Sequence, residues 1–245
     1  MVAPPDNDVL WARSVHYSHN GSPALTGVSL GVRVAETLAV LGPRGGGKTT
    51  LLRCLSGQLV PQQGEVWFNS SPVHTLGRVA RERLRVTRFG WIDPEPELVP
   101  ELTAWENTAL PLLLNGASHR AAKHTALQWL DRLDLGEESG TRPHKLLQAQ
   151  RQRVAFARAL AAGPAVIFAD EPTAVLHGAE GTQLLRTLLA ATRSHGITMV
   201  LATHDPGVAA CADRTVLLRD GRRAASLGEV PAPGDKERTA CSLSV

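Results

Sequence analysis

This 245-residue sequence predicts an α/β fold with a mostly parallel sheet, an N-terminal antiparallel β subdomain and an inserted helical subdomain. Three observations carry that prediction. Compact β-rich apolar runs alternate with helical patterns through the middle and end of the chain, as in a sheet covered by helices on both faces. The N-terminal stretches read instead as half-buried antiparallel strands. Residues from about 95 to 148 are mostly helical in pattern with no convincing strand, so they read as an inserted lobe.

Taken in order, Val9–His19, Val28–Val34 and Gly64–Asn69 are the antiparallel strands. The buried parallel strands are Thr37–Gly42, Ala165–Asp170, Thr198–Thr203 and Thr215–Arg219. Lys48–Gln58, Gln150–Ala162 and Ala179–Ser194 are the helices between them. One domain over 9–228 is expected, with flexible Pro-, Asp- and small-residue-rich tails at 1–8 and 231–245.

Composition narrows the class. With 43% hydrophobic and 20% charged residues, disorder and low-complexity readings fall away. No apolar run approaches the ~20 residues of a membrane helix; Val154–Asp170 is broken by Arg158 and Gly163-Pro164. The N-terminus lacks the basic start and apolar core of a secretion signal. Cys54, Cys211 and Cys241 are too scattered for a disulfide framework or a metal site, which points to a reducing cytosol. The net charge of +3 is spread out except for the cluster Arg78–Arg88. That cluster reads as a solvated helix face rather than a nucleic-acid stripe, and no nucleic-acid partner is expected.

Chemistry enters after the strand ending at Leu41. Gly42-Pro43-Arg44-Gly45-Gly46-Gly47-Lys48-Thr49-Thr50 is G-x-x-x-x-G-K-[ST] between a strand and a helix. Glycines let backbone N–H groups curl around a phosphate, and the helix N-terminus adds its positive dipole end. Lys48 is placed for the β- and γ-phosphates of a nucleotide, and Thr49 for Mg²⁺. Downstream, Ala165–Ala169 delivers Asp170-Glu171-Pro172 to the C-terminal edge of a buried strand, where ligands of α/β sheets sit. Asp170 is placed to hold Mg²⁺ through water, and Glu171 to polarise the water that attacks the γ-phosphate.

Together these motifs resemble the ATP-binding subunit of an ABC transporter, over roughly residues 9–228. The resemblance implies a P-loop NTPase core of the ABC ATPase type, with ATP and Mg²⁺ as ligands. It implies that His204, in Ala202-Thr203-His204-Asp205, is the switch histidine that contacts the γ-phosphate, and that Tyr17 stacks on adenine. Gln150–Leu160 matches the signature helix. Pro100–Asn107 with Leu110–Leu113 is similar to the subgroup serving macrolide exporters and lipoprotein-release systems.

Three departures stand beside the agreements. Where the family has L-S-G-G-Q before the signature helix, this chain has Leu146-Leu147-Gln148-Ala149-Gln150. Leu147 lacks the serine hydroxyl, and Gln148 and Ala149 place Cβ atoms where backbone should approach phosphate. The glutamine linking Mg²⁺ to the transporter interface is expected near 94, where Asp93-Pro94-Glu95-Pro96 stands. The loop after the acidic pair reads Ala174-Val175-Leu176-His177 and lacks its usual Asp.

The family pairs head to tail, each ATP lying between one subunit's phosphate loop and the other's signature. Elements used on this chain's own ATP are mostly kept, whereas those lent to a partner are altered. The resemblance therefore implies a separate integral-membrane permease and a second ABC ATPase subunit, with the chain held peripherally at the inner membrane face. An asymmetric heterodimer, a homodimer with two sluggish sites and a paralogue without transport all stay open. So does a nucleotide-gated regulatory protein with little hydrolysis. A soluble ABC ATPase acting on nucleic acid or in cofactor assembly would need extra domains or a basic stripe.

Overall fold

The computed structural model describes residues 8–176 and 178–224. The chain runs β1 (Asp8–His19), β2 (Ser22–Arg33), β3 (Thr37–Leu41), α1 (Lys48–Leu55), β4 (Gln63–Phe68), β5 (Ser71–Pro72), α2 (Arg78–Arg88) and β6 (Phe89–Ile92). It continues with α3 (Ala104–Leu114), α4 (His119–Arg132), α5 (Gln148–Ala161), β7 (Val166–Asp170), α6 (Gly178–Ser194), β8 (Thr198–Thr203), α7 (Pro206–Ala209), β9 (Arg214–Arg219) and β10 (Arg222–Arg223). Two sheets result. One is antiparallel, in the order β2-β1-β4-β5; the other runs β10-β9-β3-β8-β7-β6 and is parallel except for β10.

The parallel sheet is apolar on both faces, which explains its unbroken apolar strands. In β7, Val166 and Phe168 point toward α1 and the antiparallel sheet, whereas Ile167 and Ala169 point toward α5 and α6. The first core gathers Leu10, Val28, Leu51, Leu52 and Val200; the second gathers Phe156, Leu160, Leu184, Leu188 and Leu201. Phe68, Phe89 and Phe168 stack edge to face at 4.9 and 5.3 Å and join the two sheets through the first core.

Residues 95–148 carry α3, α4 and two single-turn 3₁₀ segments, Glu137–Gly140 and Pro143–Lys145. Thr103 caps α3 by a capping box with Glu106, and Asn107, fully buried at the start of α3, donates to the carbonyls of Val99, Leu102 and Thr103. That polar pin anchors the lobe's entry, because a buried amide must find its partners locally.

The structure differs from expectation at several boundaries. β6 was not foreseen: Phe89–Ile92 is a four-residue edge strand directly continuing the arginine-rich helix α2. β2 starts at Ser22 rather than Val28, because its first half pairs with β1 across the Asn20-Gly21 turn, both residues at positive φ. α1 stops at Leu55 instead of Gln58, where the chain turns through Ser56 and a left-handed Gly57. α5 opens two residues earlier than Gln150. The expected tails lie outside the described residues, apart from Asp8, which opens β1; His177 lies outside them too. Among the described residues no helix is long and apolar enough to cross a membrane.

Candidate functional site

The phosphate loop leaves the C-terminal end of β3 and enters α1. Two of its glycines are sterically required: a Cβ on Gly42 would strike the Leu218 carbonyl, and one on Gly47, at φ 95°, the Ala24 carbonyl. The loop closes by Gly46 N–H to Pro43 O at 3.1 Å and is tied to β10's turn by Gly221 N–H to Gly46 O at 3.2 Å. Pro43, Arg44 and Gly45 form its exposed crest, whereas Gly46, Lys48 and Thr50 are buried.

Lys48 Nζ donates to Gly42 O at 2.8 Å and Pro43 O at 3.0 Å, and lies 3.3 Å from Glu171 Oε1. The other oxygen, Glu171 Oε2, is 2.9 Å from His204 Nδ1. A carboxylate only accepts, so Nδ1 carries the proton in this contact. The three residues come from different elements: Lys48 opens α1, Glu171 follows β7 and His204 follows β8. Their meeting is a product of the strand order, which sets β7 and β3 on either side of β8. Glu171 sits at φ 45°, a left-handed conformation unfavourable by about 1–2 kcal/mol for a side chain of this size, held by Glu171 N–H to Ala202 O at 2.9 Å.

Asp170 ends β7 nearly fully buried. Its Oδ2 accepts from Thr49 Oγ1 at 2.6 Å, while its Oδ1 is buried without a protein partner. Burial is the largest cause holding its carboxyl above the usual range; the Thr49 hydrogen bond and Lys48 oppose it, and Glu171 and Asp93 add to it. An orphaned carboxylate oxygen beside a hydroxyl suits a hard cation such as Mg²⁺, which takes few protein ligands and completes its shell with phosphate and water. No group of three or more His, Cys, Asp or Glu side chains that could hold a metal occurs among the described residues.

Tyr17, near the end of β1, lies half-buried against the first core with its ring edge-on to His19 at 4.9 Å. His19 Nε2 is 3.1 Å from Thr50 Oγ1, which pins the end of β1 to the start of α1. Sequence reasoning did not single out His19. The structure gathers Gly42–Thr50, Asp170, Glu171 and His204 at one end of the parallel sheet and connects Tyr17 to them through His19. The altered signature segment lies elsewhere, at the start of α5. There Leu147 is 72% exposed and its N–H is capped by Gln150 Oε1 at 2.9 Å.

A sequence profile of the ABC transporter family matches residues 25–174, more than half of the chain. The chain belongs to that family. It is 38% identical over 210 residues to the ABC transporter ATP-binding protein YbbA of Escherichia coli K12, covering 86% of this chain and 92% of that one. It is 37% identical over 217 residues to the lipoprotein-releasing system ATP-binding protein LolD of Xylella fastidiosa, covering 87% and 90%. Against the macrolide export ATP-binding/permease protein MacB of Syntrophobacter fumaroxidans it is 37% identical over 214 residues, 85% of this chain but 30% of that one. Among solved structures, the ATP-binding cassette MJ0796 in a dimeric post-hydrolysis state with ADP and Pi matches at TM-score 0.81 and 31% identity, covering 88% and 97%. The chain is thus an ABC-type ATPase of the macrolide and lipoprotein-release subgroup: an ATP-binding transporter subunit whose family converts ATP and water to ADP and phosphate.

Proposed function

We propose that this ABC ATPase energises a separate integral-membrane permease from the cytoplasmic face, and that it does so paired with a second ABC ATPase subunit. Tyr17 stacks on adenine, Gly42–Thr50 cradle the phosphates and Lys48 neutralises the β- and γ-phosphates. Thr49 and Asp170 hold Mg²⁺, which when bound would neutralise charge developing on the phosphate oxygens. Glu171 accepts a proton from the attacking water, and His204 holds Glu171 in place on one side while facing the γ-phosphate on the other.

The observation that carries this reading is the Lys48–Glu171–His204 chain of contacts at 3.3 and 2.9 Å, which puts a candidate base at the mouth of the phosphate loop. The separate segment at the start of α5 supports the pairing. Leu147 offers no hydroxyl to a partner's nucleotide, and removing one preorganised donor of this kind costs about 10²–10³ in rate. We therefore favour an asymmetric heterodimer. A partner with a complete signature activates the site on this chain, while the partner's own ATP is turned over slowly.

ATP turnover of the purified chain, alone and then co-expressed with a permease and a second ATPase subunit, tests the proposal. Turnover appearing only with the second ATPase supports the asymmetric pair. Robust turnover by the chain alone refutes it in favour of a homodimer. ATP binding without turnover in either setting favours the nucleotide-gated regulatory reading that Leu147-Gln148-Ala149 also suggests.

A further inference from the structure

Gln152 lies on the inner face of α5 with no solvent exposure. Its Nε2 donates to two carbonyls from different segments: Asp93 O at 3.2 Å and Pro172 O at 3.0 Å. Its Oε1 is buried and has no partner. The amide cannot be turned over, because the flip would set Oε1 against both carbonyls. A buried acceptor left unpaired is a cost that a structural glutamine would ordinarily avoid, and here it is accepted to keep both donors in use.

One acceptor sits beside a surface groove and the other beside the reacting end of the site. Asp93 lines an open groove of about 410 Å³ with Arg53, Arg85, Phe89, Trp91 and Glu97, and Trp91 Nε1 donates to Asp93 Oδ1 at 2.7 Å. Pro172 is bonded directly to Glu171, whose backbone is held at φ 45° and whose carboxylate reaches Lys48 and His204. One side-chain nitrogen therefore spans the groove and the reacting end of the molecule. The residue after Asp93 is Pro94, which has neither an amide side chain nor an N–H of its own, so it offers no hydrogen-bond donor.

We propose that Gln152 is a positioning residue that couples the state of the Trp91–Asp93 groove to the orientation of the Glu171–Pro172 peptide. The inference rests on Glu171 being the water-polarising residue. A shift of the Asp93 carbonyl, as when a partner fills the groove, moves or breaks one Nε2 bond. The other bond then passes the change to the backbone that aims Glu171. Small displacements of that kind carry large rate effects, since a 1 Å misplacement costs up to about 10²-fold. Coupling also runs in reverse: nucleotide at the phosphate loop alters the surroundings of Trp91.

The test uses the full chain co-expressed with the second ATPase subunit, carrying Gln152→Met, which keeps volume but removes both donors, or Gln152→Glu, which keeps shape but sets an acceptor against both carbonyls. ATP affinity, kcat and the nucleotide-induced change in Trp91 emission are measured, with Trp91→Phe isolating that signal from the other tryptophans. The expected result is unchanged ATP affinity and KM, kcat lower by about tenfold, and loss of the Trp91 response in both variants. A folded variant that keeps both kcat and the Trp91 response overturns the proposal, as does a wild-type Trp91 signal indifferent to nucleotide. Should neither variant fold, the link is read in the native frame from Glu171→Gln; a Trp91 response identical to wild type then overturns it. Wild-type turnover in Glu171→Gln refutes the role of Glu171 itself. Silent Glu171→Gln beside fully active Gln152→Met refutes the coupling alone.

Discussion

Leu147→Ser is the substitution whose outcome the structure constrains best. Leu147 is the N-cap of α5, with φ −65° and ψ 161°, and Gln150 at the third helical position already accepts its backbone N–H at 2.9 Å. That is one half of a capping box. Leucine cannot supply the other half, because its side chain has no acceptor for the Gln150 N–H. A serine hydroxyl would complete it, and such caps contribute about 1 kcal/mol over alanine. Leu147 is 72% exposed, so the leucine burial surrendered is about a quarter of the usual 1.5–3 kcal/mol, or about 0.5 kcal/mol. Leu147→Ala surrenders the same burial without gaining the cap. Leu147→Ser should therefore melt about 2–4 °C above Leu147→Ala, the shift that 1 kcal/mol gives a domain of this size, and slightly above wild type. Differential scanning calorimetry of the three proteins, without nucleotide, reads both differences. Equal melting of the two variants would refute the capping argument. A Leu147→Ser variant well below wild type would mean that the leucine has a packing role its exposure conceals. The same substitution, combined with Gln148→Gly and Ala149→Gly, should raise ATP turnover at least tenfold if the altered signature limits hydrolysis, on the scale of 10²–10³ per lost donor.

Four further outcomes follow from the site. Lys48→Ala removes the cation shared among Gly42 O, Pro43 O and Glu171 and should abolish measurable ATP binding in titration calorimetry; unchanged affinity would sink the phosphate-loop assignment. Glu171→Gln should retain binding, lose about 10²–10³ in turnover and accumulate as an ATP-bound dimer on size exclusion; unaltered turnover and association would remove Glu171 from the mechanism. Asp170 has its carboxyl raised by burial, so its contribution to stability is present below the ordinary value near 3.8 and lost as pH rises through the raised folded value. Asp170→Asn should accordingly raise the nucleotide-free Tm at neutral pH, by a margin that shrinks on acidification, while abolishing the added stabilisation from Mg²⁺ with ATP; a lower Tm at neutral pH would contradict the sign. Cys54 is buried and its thiol is pushed up to about 12, so alkylation near neutral pH should stay slow until the protein is unfolded, whereas rapid native labelling by peptide mass spectrometry would show that the α1 side of the core opens.

The parallel strands were legible because burial on both faces removes any need for alternation, leaving Thr37–Leu41 and Val166–Asp170 as plain apolar runs. The phosphate loop was legible because Gly42 and Gly47 are held to glycine by neighbouring carbonyls, so sterics and chemistry write the same letters there. β6 was not legible. Four residues at a sheet edge, one of them Gly90, carry too little pattern, and the helix before them is so rich in arginine that it obscures the transition. The first half of β2 was missed for a related reason: only Leu25 in it is buried, and pairing with β1 rather than a run of apolar residues fixes it. In the site, His19 escaped notice because its contact lies 31 positions away with no motif at fixed local spacing, and Gln152, though inside the run matched to the signature helix, showed no role of its own because its contacts lie 59 and 20 positions away. Gln152 did leave one trace: an amide three and four residues before Ala155 and Phe156, on a helix face that the fold buries.

The unequal retention of motifs has a physical rationale in this architecture. On the home side, chemical groups are also structural ones. Lys48 fills the phosphate loop and bonds its carbonyls, Asp170 and Thr49 bond each other in a buried site, and Glu171 N–H holds the turn after β7. Altering them disturbs packing as well as catalysis. The signature segment is built differently. Leu146 is buried and Ala149 packs inward, but Leu147 and Gln148 are exposed. The helix start is held by Gln150 on the Leu147 N–H, by Gln150 Nε2 on Glu138 at 2.9 Å and by Arg151 Nε on Leu146 O at 3.1 Å. None of these needs a hydroxyl at 147 or a glycine at 148. On the proposed pairing, the fold therefore tolerates the loss of groups that would serve only a partner's nucleotide, while most of those that would serve its own are also held in place by packing. Pro94 is the exception on the home side, and it is tolerated because the half-buried loop around it is held by backbone carbonyls, Asp93 O on Gln152 and Glu97 O on Arg158, and not by the side chain at 94. Drift confined to such positions changes which of two paired sites can turn over without unfolding either subunit, and that is the condition under which an asymmetric pair can arise.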